Sequence, residues 1–251
     1  MLFRSTGRFA HNPEPLAEHL TGTCKIIRES SVDVGFVTDP DVDRLAIINE
    51  DGTLFNEEYT LVACADYVLR HTPGNTVSNL SSSRALRDVT LRHGGSYAAA
   101  AVGEVNVVRT MKETRAVIGG EGNGGIIYPA SHYGRDALVG VALFLSHLAL
   151  SQLKCSELRR TYPDYFTSKN KIELTPGIDT ERLLEEIKTC YKKEKITDID
   201  GVKIDFPESW VHLRKSNTEP IIRIYAEARS TGEADQLARK MMDQIRTLAG
   251  I

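Results

Sequence analysis

Asp39-Pro40-Asp41-Val42-Asp43-Arg44 sets three carboxylates in alternation with a proline and a valine, with a guanidinium directly behind them. Residues 32–37 are mostly apolar apart from Asp33 and Gly35, and residues 45–48 are apolar throughout. Both flanks read as strands. Pro40 has no N–H to give a ladder, so the acidic stretch belongs in a loop between them. Such a loop can turn alternate carboxylates inward on one hard cation and leave positions open for water or a phosphate oxygen, which suits Mg²⁺. On spacing alone, a solvated acidic turn is the bland alternative. A calcium EF-hand would want glycine at the sixth position, where Arg44 stands, and helices on both sides, although Glu50 does fall at the twelfth. An aspartyl phosphatase would make Asp39 a nucleophile with Asp41 as its acid/base, and would carry a downstream Asp-Asp pair that this sequence lacks.

A chain of 251 residues can bury a sizeable core and hold two domains or more. A net charge of -3 with both signs interspersed favours neither nucleic acid nor an anionic membrane as partner. Cys24, Cys64, Cys155 and Cys190 show no C-x-x-C spacing and read as thiols of a reducing cytosol, so a cytoplasmic protein is expected. No apolar h-region follows Met1. The longest apolar stretch, residues 137–150, is too short for a bilayer, carries Ser146 and His147, and reads as a core helix.

Outward from the acidic loop, the opening 31 residues are irregular, with a proline-stiffened turn at His11-Asn12-Pro13-Glu14-Pro15 and a short helix near 16–20. Entry in the middle of a domain is expected, with more chain before Met1. Downstream, helices over 57–70 (Asn56 as N-cap), 84–93, 105–113 and 136–153 alternate with strands over 76–80, 97–102, 116–118 and 126–128. That rhythm predicts a parallel α/β layer. From about residue 155 it changes to strands over 169–174, 196–199, 202–206, 210–213 and 221–228. Helices over 181–191 and from a Ser230/Glu233 capping box complete a separate α+β domain.

Two further loops carry chemistry. Gly119-Gly120-Glu121-Gly122-Asn123-Gly124-Gly125 lets the backbone approach a ligand closely, with Glu121 and Asn123 offering a carboxylate and an amide to vicinal hydroxyls. A flexible hairpin turn is the plain alternative. Arg214-Lys215-Ser216-Asn217-Thr218-Glu219-Pro220 offers a guanidinium that can fork onto a phosphate, with hydroxyl and amide donors beside it. Its plain alternative is a polar surface hairpin.

In this order and at these separations the three loops resemble the α-D-phosphohexomutase superfamily, of phosphoglucosamine mutase or phosphoglucomutase/phosphomannomutase type, over essentially the whole chain. The resemblance implies Asp39, Asp41 and Asp43 as Mg²⁺ ligands and Arg44 as a catalytic, phosphate-contacting partner. It implies Glu121 and Asn123 as sugar contacts, and Arg214, Ser216, Asn217 and Thr218 as the grip on the non-reacting phosphate of a hexose phosphate. It also places a catalytic phosphoserine in an earlier domain, inside a Ser-His-Asn-Pro-like motif. Here Ala10 precedes His11-Asn12-Pro13, so that serine is not in this chain. The expected organisation is therefore the end of one α/β domain with the metal loop (1–53), a complete α/β domain with a mixed sheet (54–164) and a C-terminal α+β domain with an antiparallel sheet (165–251). The partners would be the missing N-terminal domains of the same chain. Asn123 replaces a serine of many members, and Glu104 after Gly103 stands where some carry a histidine. Both features lean toward the phosphoglucosamine mutase branch, with phosphoglucomutase/phosphomannomutase as the alternative. A non-catalytic sugar-phosphate-binding fragment is the reading of another class. Incubated alone with a glucosamine phosphate, the chain is expected to give no isomerisation by NMR; turnover without a second polypeptide would remove the inference about the serine.

Overall fold

The computed structural model describes residues 8–9, 12–174, 178–216 and 219–250. A 3-10 turn (Ala17–His19) and helix α1 (Thr21–Glu29) lead into strands β1 (Val34–Thr38) and β2 (Leu45–Asn49). These pair antiparallel with Thr38 opposite Leu45, so the acidic stretch is the loop of a hairpin, as its proline requires. Helix α1 is absent from the sequence reading, and none of its residues is fully buried to betray it.

Next comes a mixed sheet in the order β4-β3-β5-β6, formed by β3 (Asn75–Asn79), β4 (Tyr97–Ala100), β5 (Ala116–Glu121) and β6 (Gly125–Ile127). β3 runs parallel to β4 and β5, whereas β6 returns antiparallel to β5. Helices α2 (Glu57–His71), α3 (Ala85–Arg92) and α5 (Ala137–Ser151) cover one face, and α4 (Glu104–Thr114) covers the other. Period-two alternation divides the strands between the two cores: Ile126 packs with α2 and α5, while its neighbour Ile127 packs with Val107 and Met111 of α4. Asn56 caps α2 by accepting from the Glu58 N–H at 3.0 Å, as the sequence predicts. Strand β5 runs on through Gly119, Gly120 and Glu121, which the sequence suggests are loop. Pairing with β6 draws them into the ladder, and at Gly119 a Cβ would lie 2.6 Å from Met111 Sδ, so only glycine fits beneath α4.

Helix α5 departs from its reading as a core helix. It buries Ala137, Leu143, Phe144 and His147 but leaves Leu138 66% and Leu150 65% exposed, because only one of its faces meets α2 and the sheet. His147 is a satisfied core histidine, 2.8 Å from the Tyr162 hydroxyl.

After a short helix α6 (Cys155–Arg160), the chain forms an antiparallel five-stranded sheet in the order β7-β11-β10-β9-β8. Its strands are β7 (Phe166–Glu173), β8 (Lys195–Thr197), β9 (Val202–Asp205), β10 (Trp210–Lys215) and β11 (Ile221–Ala228). Helices α7 (Thr180–Cys190) and α8 (Thr231–Ala249) close one face through Leu184, Ile187, Met241 and Ile245. The other face buries polar groups against the loop after β3. Arg84 donates to the carbonyls of Pro207, Phe206 and Ser209 and to Asp205, at 2.8–3.2 Å. Glu227 Oε1 accepts from the Arg84 N–H at 3.0 Å and from Trp210 Nε1 at 2.7 Å, and Lys203 donates to the Leu80 carbonyl at 2.7 Å. Each of these side chains has at least one partner inside the protein, which makes its burial tolerable, while Arg84 Nε and Glu227 Oε2 are buried without a hydrogen bond among the described residues.

Glu58, in the first turn of α2, is buried beside this seam and accepts the Ser83 N–H at 2.8 Å. Burial pushes its carboxyl up to about 8, against the pull of Lys169 and of that hydrogen bond. A carboxyl raised in the folded state stabilises the fold below its ordinary value of 4.5 and loses that contribution as pH rises through about 8. Between those pH values the wild type is expected to lose stability relative to Glu58→Gln in urea titrations; parallel curves would show that Glu58 does not take up the proton.

Candidate functional site: an acidic hairpin loop tied to the glycine turn

Within the hairpin loop the Val42 N–H closes a turn on the Asp39 carbonyl at 3.1 Å, and Val42 itself sits at φ 59. A β-branched residue in the left-handed region is strained by roughly 1–3 kcal/mol. The Val42 carbonyl accepts the Ala137 N–H at 3.0 Å, so the first turn of α5 holds the strained loop in place. The consequence is that Asp39, Asp41 and Asp43 each present a carboxylate oxygen, all within 4.8 Å of one another.

The three are not equivalent. Asp39 is buried: Oδ1 accepts the N–H groups of Asp43 and Arg44 at 3.0 Å, and Oδ2 accepts Arg44 Nε at 2.7 Å. Burial works to raise its pKa, but these hydrogen bonds outweigh it and hold the carboxyl at about 2. Asp41 is exposed at the tip. Asp43 is half-buried; burial and then its contact with Asp39 push its carboxyl up, against the pull of Arg135. One of its oxygens, Oδ2, meets Arg135, while the other, Oδ1, lies 3.8 Å from Arg44 Nε and is buried with no hydrogen-bond partner among the described residues. A buried carboxylate oxygen without a hydrogen bond, beside two neighbouring carboxylates, is the donor set of a hard divalent cation, so these residues fit a metal. The flanking strands exclude the EF-hand arrangement.

Arg44 is committed within the protein by two of its nitrogens, Nε to Asp39 and Nη1 to Glu14 at 2.8 Å. Glu121, at the end of β5, is 5% exposed. Its Oε1 accepts from Asn79 Nδ2 at 2.8 Å and from the Gly103 N–H at 3.2 Å, and its Oε2 from Arg135 at 2.8 Å. Asn123 lies in the three-residue turn that follows and accepts the Gly125 N–H at 3.2 Å. Gly122 packs directly against Glu58: a Cβ there would lie 1.9 Å from its carboxylate, so that carboxylate would have to move. The two loops are tied through their backbones as well: the Leu45 N–H donates to the Gly124 carbonyl at 3.0 Å.

Arg135 is the residue that sequence reasoning missed. Its guanidinium spans from Asp43 to Glu121, its Nε lies 3.5 Å from Glu104, and its backbone N–H donates to Glu104 at 2.9 Å. A signal was present: a cation directly before the Asp136 N-cap of α5 sits at the end of the helix where cations are disfavoured. The third loop joins through Asp200, whose Oδ2 accepts the Val102 N–H at 2.9 Å and lies 3.6 Å from Arg214 at the end of β10. Ser216 follows that strand, its N–H bonded to the Ile221 carbonyl at 3.0 Å. Asn217 and Thr218 lie outside the described residues.

A layered α/β unit carrying acidic and glycine loops, followed by an antiparallel lobe bearing a basic one, is the architecture of a known family. Its three models match in sequence order: phosphoglucomutase/phosphomannomutase alpha/beta/alpha domain II at residues 3–52, alpha/beta/alpha domain III at 56–165, and the C-terminal domain at 171–244. The chain belongs to the phosphoglucomutase/phosphomannomutase family. It is 36% identical over 228 residues to a phosphoglucomutase/phosphomannomutase of Thermococcus kodakarensis, covering 90% of this chain and 50% of the relative. It is 31% identical over 237 residues to a phosphoglucosamine/phosphogalactosamine mutase of Sulfurisphaera tokodaii, covering 92% and 52%. The fold is that of a phosphoglucomutase/phosphomannomutase family protein from Burkholderia thailandensis, with TM-score 0.79 at 22% identity over 94% of this chain and 51% of that one. The chain thus spans about half the length of the curated relatives it matches.

Arg135→Ala is expected to lower stability by about 3 kcal/mol in urea unfolding, because it strands carboxylates that share one cation. Arg135→Lys should restore less than half of that, since an ammonium cannot fork between them. A loss within experimental error would show that the bridge is dispensable.

Proposed function

We propose that this chain is the metal- and substrate-gripping part of a phosphohexomutase that moves phosphate between O6 and O1 of a hexose phosphate through a bisphosphate. Phosphoglucosamine is the favoured substrate class and the glucose/mannose phosphates are the alternative. The observation that carries the reading is the carboxylate triad, in which one buried Asp43 oxygen has no hydrogen bond among the described residues, tied by Arg135 to the glycine turn. Membership of the family and the named activities of its relatives support it.

Asp39, Asp41 and Asp43 would hold Mg²⁺. When bound, the ion supplies positive charge against the oxygens of a phosphorylated serine contributed by an N-terminal portion. Arg44, oriented by Asp39 and Glu14, would face the same phosphate with the remainder of its guanidinium. Glu121 and Asn123 would meet sugar hydroxyls, which requires Glu121 to exchange one of its internal donors for a hydroxyl. Arg214, Ser216, Asn217 and Thr218 would grip the phosphate that does not react, with Arg214 leaving Asp200 for the better bidentate partner. Positioning and charge, rather than covalent work by this part of the chain, would carry the catalysis. Lys203, Glu227 and Arg84 at the seam between the lobes would keep the basic loop at a fixed distance from the glycine turn.

Calorimetry of the chain with Mg²⁺ and, separately, with glucosamine 6-phosphate and mannose 6-phosphate tests the reading. Binding of Mg²⁺ should weaken by at least about tenfold in Asp43→Asn, and binding of the hexose phosphates by a similar factor in Arg214→Ala. Mg²⁺ affinity unchanged by Asp43→Asn would remove the metal site, and equal sugar-phosphate binding in Arg214→Ala would remove the clamp.

A further inference from the structure

Lys203, on β9, carries a positive charge into the seam between the middle unit and the last lobe without a carboxylate of its own. It is 7% exposed, donates to the Leu80 carbonyl at 2.7 Å and lies 4.1 Å from the centre of the Trp210 ring. Among the described residues it makes no ion pair, and the carboxylates nearby are engaged elsewhere. Asp205 faces Arg84 Nη2 at 3.2 Å, while Glu227 Oε1 accepts from the Arg84 N–H and from Trp210 Nε1. Burial pushes the Lys203 ammonium down to about 8, and Arg84 and Arg87 add to the fall against the pull of Asp205 and Glu227. A buried charge is costly unless it is paired, so this one calls for an anion.

Beside Lys203 lies a cavity of about 270 Å³. Arg84 and Arg87 enter its lining from the start of α3, and Lys195, Thr197 and Lys203 from β8 and β9. Among the described lining residues Asp205 is the one carboxylate against four cations. Donors remain uncommitted there. Arg84 Nε is buried without a hydrogen bond among the described residues. Arg87 bonds Asp88 through Nε and Nη2, at 3.2 and 3.0 Å, which leaves its Nη1. Lys195 is exposed and makes no ion pair among the described residues. The volume falls below the roughly 300–1,000 Å³ of sites for drug-sized ligands, so it suits a small oxyanion better than a nucleotide. Guanidinium and ammonium donors converging from two sides are the groups that hold a phosphate. The loop that walls the cavity also holds the glycine turn: Ser82 Oγ accepts the Gly122 N–H at 2.9 Å, and Asn79 donates to Glu121 at 2.8 Å.

We propose that this cavity binds a phosphate group, inorganic or carried by a small phosphate ester, held across the seam by Lys203, Arg87 and Lys195 and separate from the grip at Arg214. The anion meets the buried ammonium, joins the middle unit to the last lobe and steadies the loop beneath the glycine turn. None of these three side chains holds substrate in the phosphohexomutase reading.

Calorimetry with inorganic phosphate and with glucosamine 6-phosphate tests the site, together with an NMR titration of the Lys203 ammonium. The Arg214→Ala variant, which lacks the grip, is expected to bind at least one of the two in one-to-one stoichiometry. On saturation the Lys203 midpoint should move from about 8 toward the ordinary lysine value of 10.5, because a neighbouring anion favours the charged form. In the same background Arg87→Ala/Lys195→Ala should weaken binding at least about tenfold, with circular dichroism and urea midpoint as the check on its fold. Lys195→Glu alone, at an exposed position, should lose a similar factor and keeps the test open where the double variant unfolds. Binding of free phosphate assigns the site to the ion, and binding of the ester alone assigns it to a sugar phosphate. The proposal is overturned if neither anion moves the Lys203 midpoint at millimolar concentration, if a folded cavity variant binds as tightly as its parent, or if Arg214→Ala abolishes all binding. Neither Mg²⁺ nor turnover enters these readouts, so the cavity and the mutase reading can fail independently.

Discussion

One guanidinium, that of Arg135, carries the constraint on which the site depends. Folding brings Asp43, Glu104 and Glu121 to the same place from three separate stretches of chain, and like charges so close would otherwise repel. A planar, permanently charged fork can meet several carboxylates at once, which an ammonium cannot. Because Arg135 directly precedes the N-cap of α5, its position is set by a helix packed into the main core, and the site inherits that rigidity. The bridge neutralises one oxygen of Asp43 and leaves the other without a hydrogen bond among the described residues, 3.8 Å from Arg44 Nε and beside Asp39 and Asp41. The excess negative charge that remains is what a divalent cation would relieve.

The same economy extends to the distant basic loop. From Arg214 the polar path runs through Asp200 to the Val102 N–H, from the adjoining Gly103 N–H to Glu121, and from Glu121 through Arg135 to the acidic hairpin. Each member is held by at least one partner inside the protein, so the loops are pre-positioned rather than merely near one another. The strained Val42 belongs to this arrangement: its backbone points three alternate carboxylates toward one centre, and the α5 amide that donates to its carbonyl keeps it there. Strain of this kind persists only where the surroundings over-determine the conformation.

The cores explain why one side of the molecule is finished and another is open. Ile126 and Ile127 share the middle sheet between two helical layers, and the last sheet has α7 and α8 on one face and the buried Arg84, Lys203 and Glu227 network on the other. The β1–β2 hairpin has α2 and α5 against one face and α1, through Ile27, against the other, and among the described residues no strand pairs with the outer edge of β1. Leu45 and Ile47 nevertheless belong to the same core as Leu61 and Phe144, so the acidic loop is anchored in the middle unit even though its own sheet is incomplete.

Local chemistry was legible in the residues themselves. Pro40 between two apolar runs gave the hairpin loop, Asn56 and Ser230 gave helix starts, and period-two and period-3.6 patterns gave most strands and helices, because these features depend on neighbours a few residues away. The sequence also marked the acidic, glycine-rich and basic loops as carriers of chemistry. It did not show that Gly119 to Glu121 are strand, since the pairing partner lies beyond the turn, nor that α5 is apolar on a face the rest of this chain leaves uncovered. The role of Arg135 in the site was not legible beyond its place ahead of the α5 N-cap, because its partner Asp43 lies 92 residues away. Periodicity records what a residue does to its own helix or strand. Which charges share one buried space is decided only when separate elements pack, and there the tertiary structure alone had the answer.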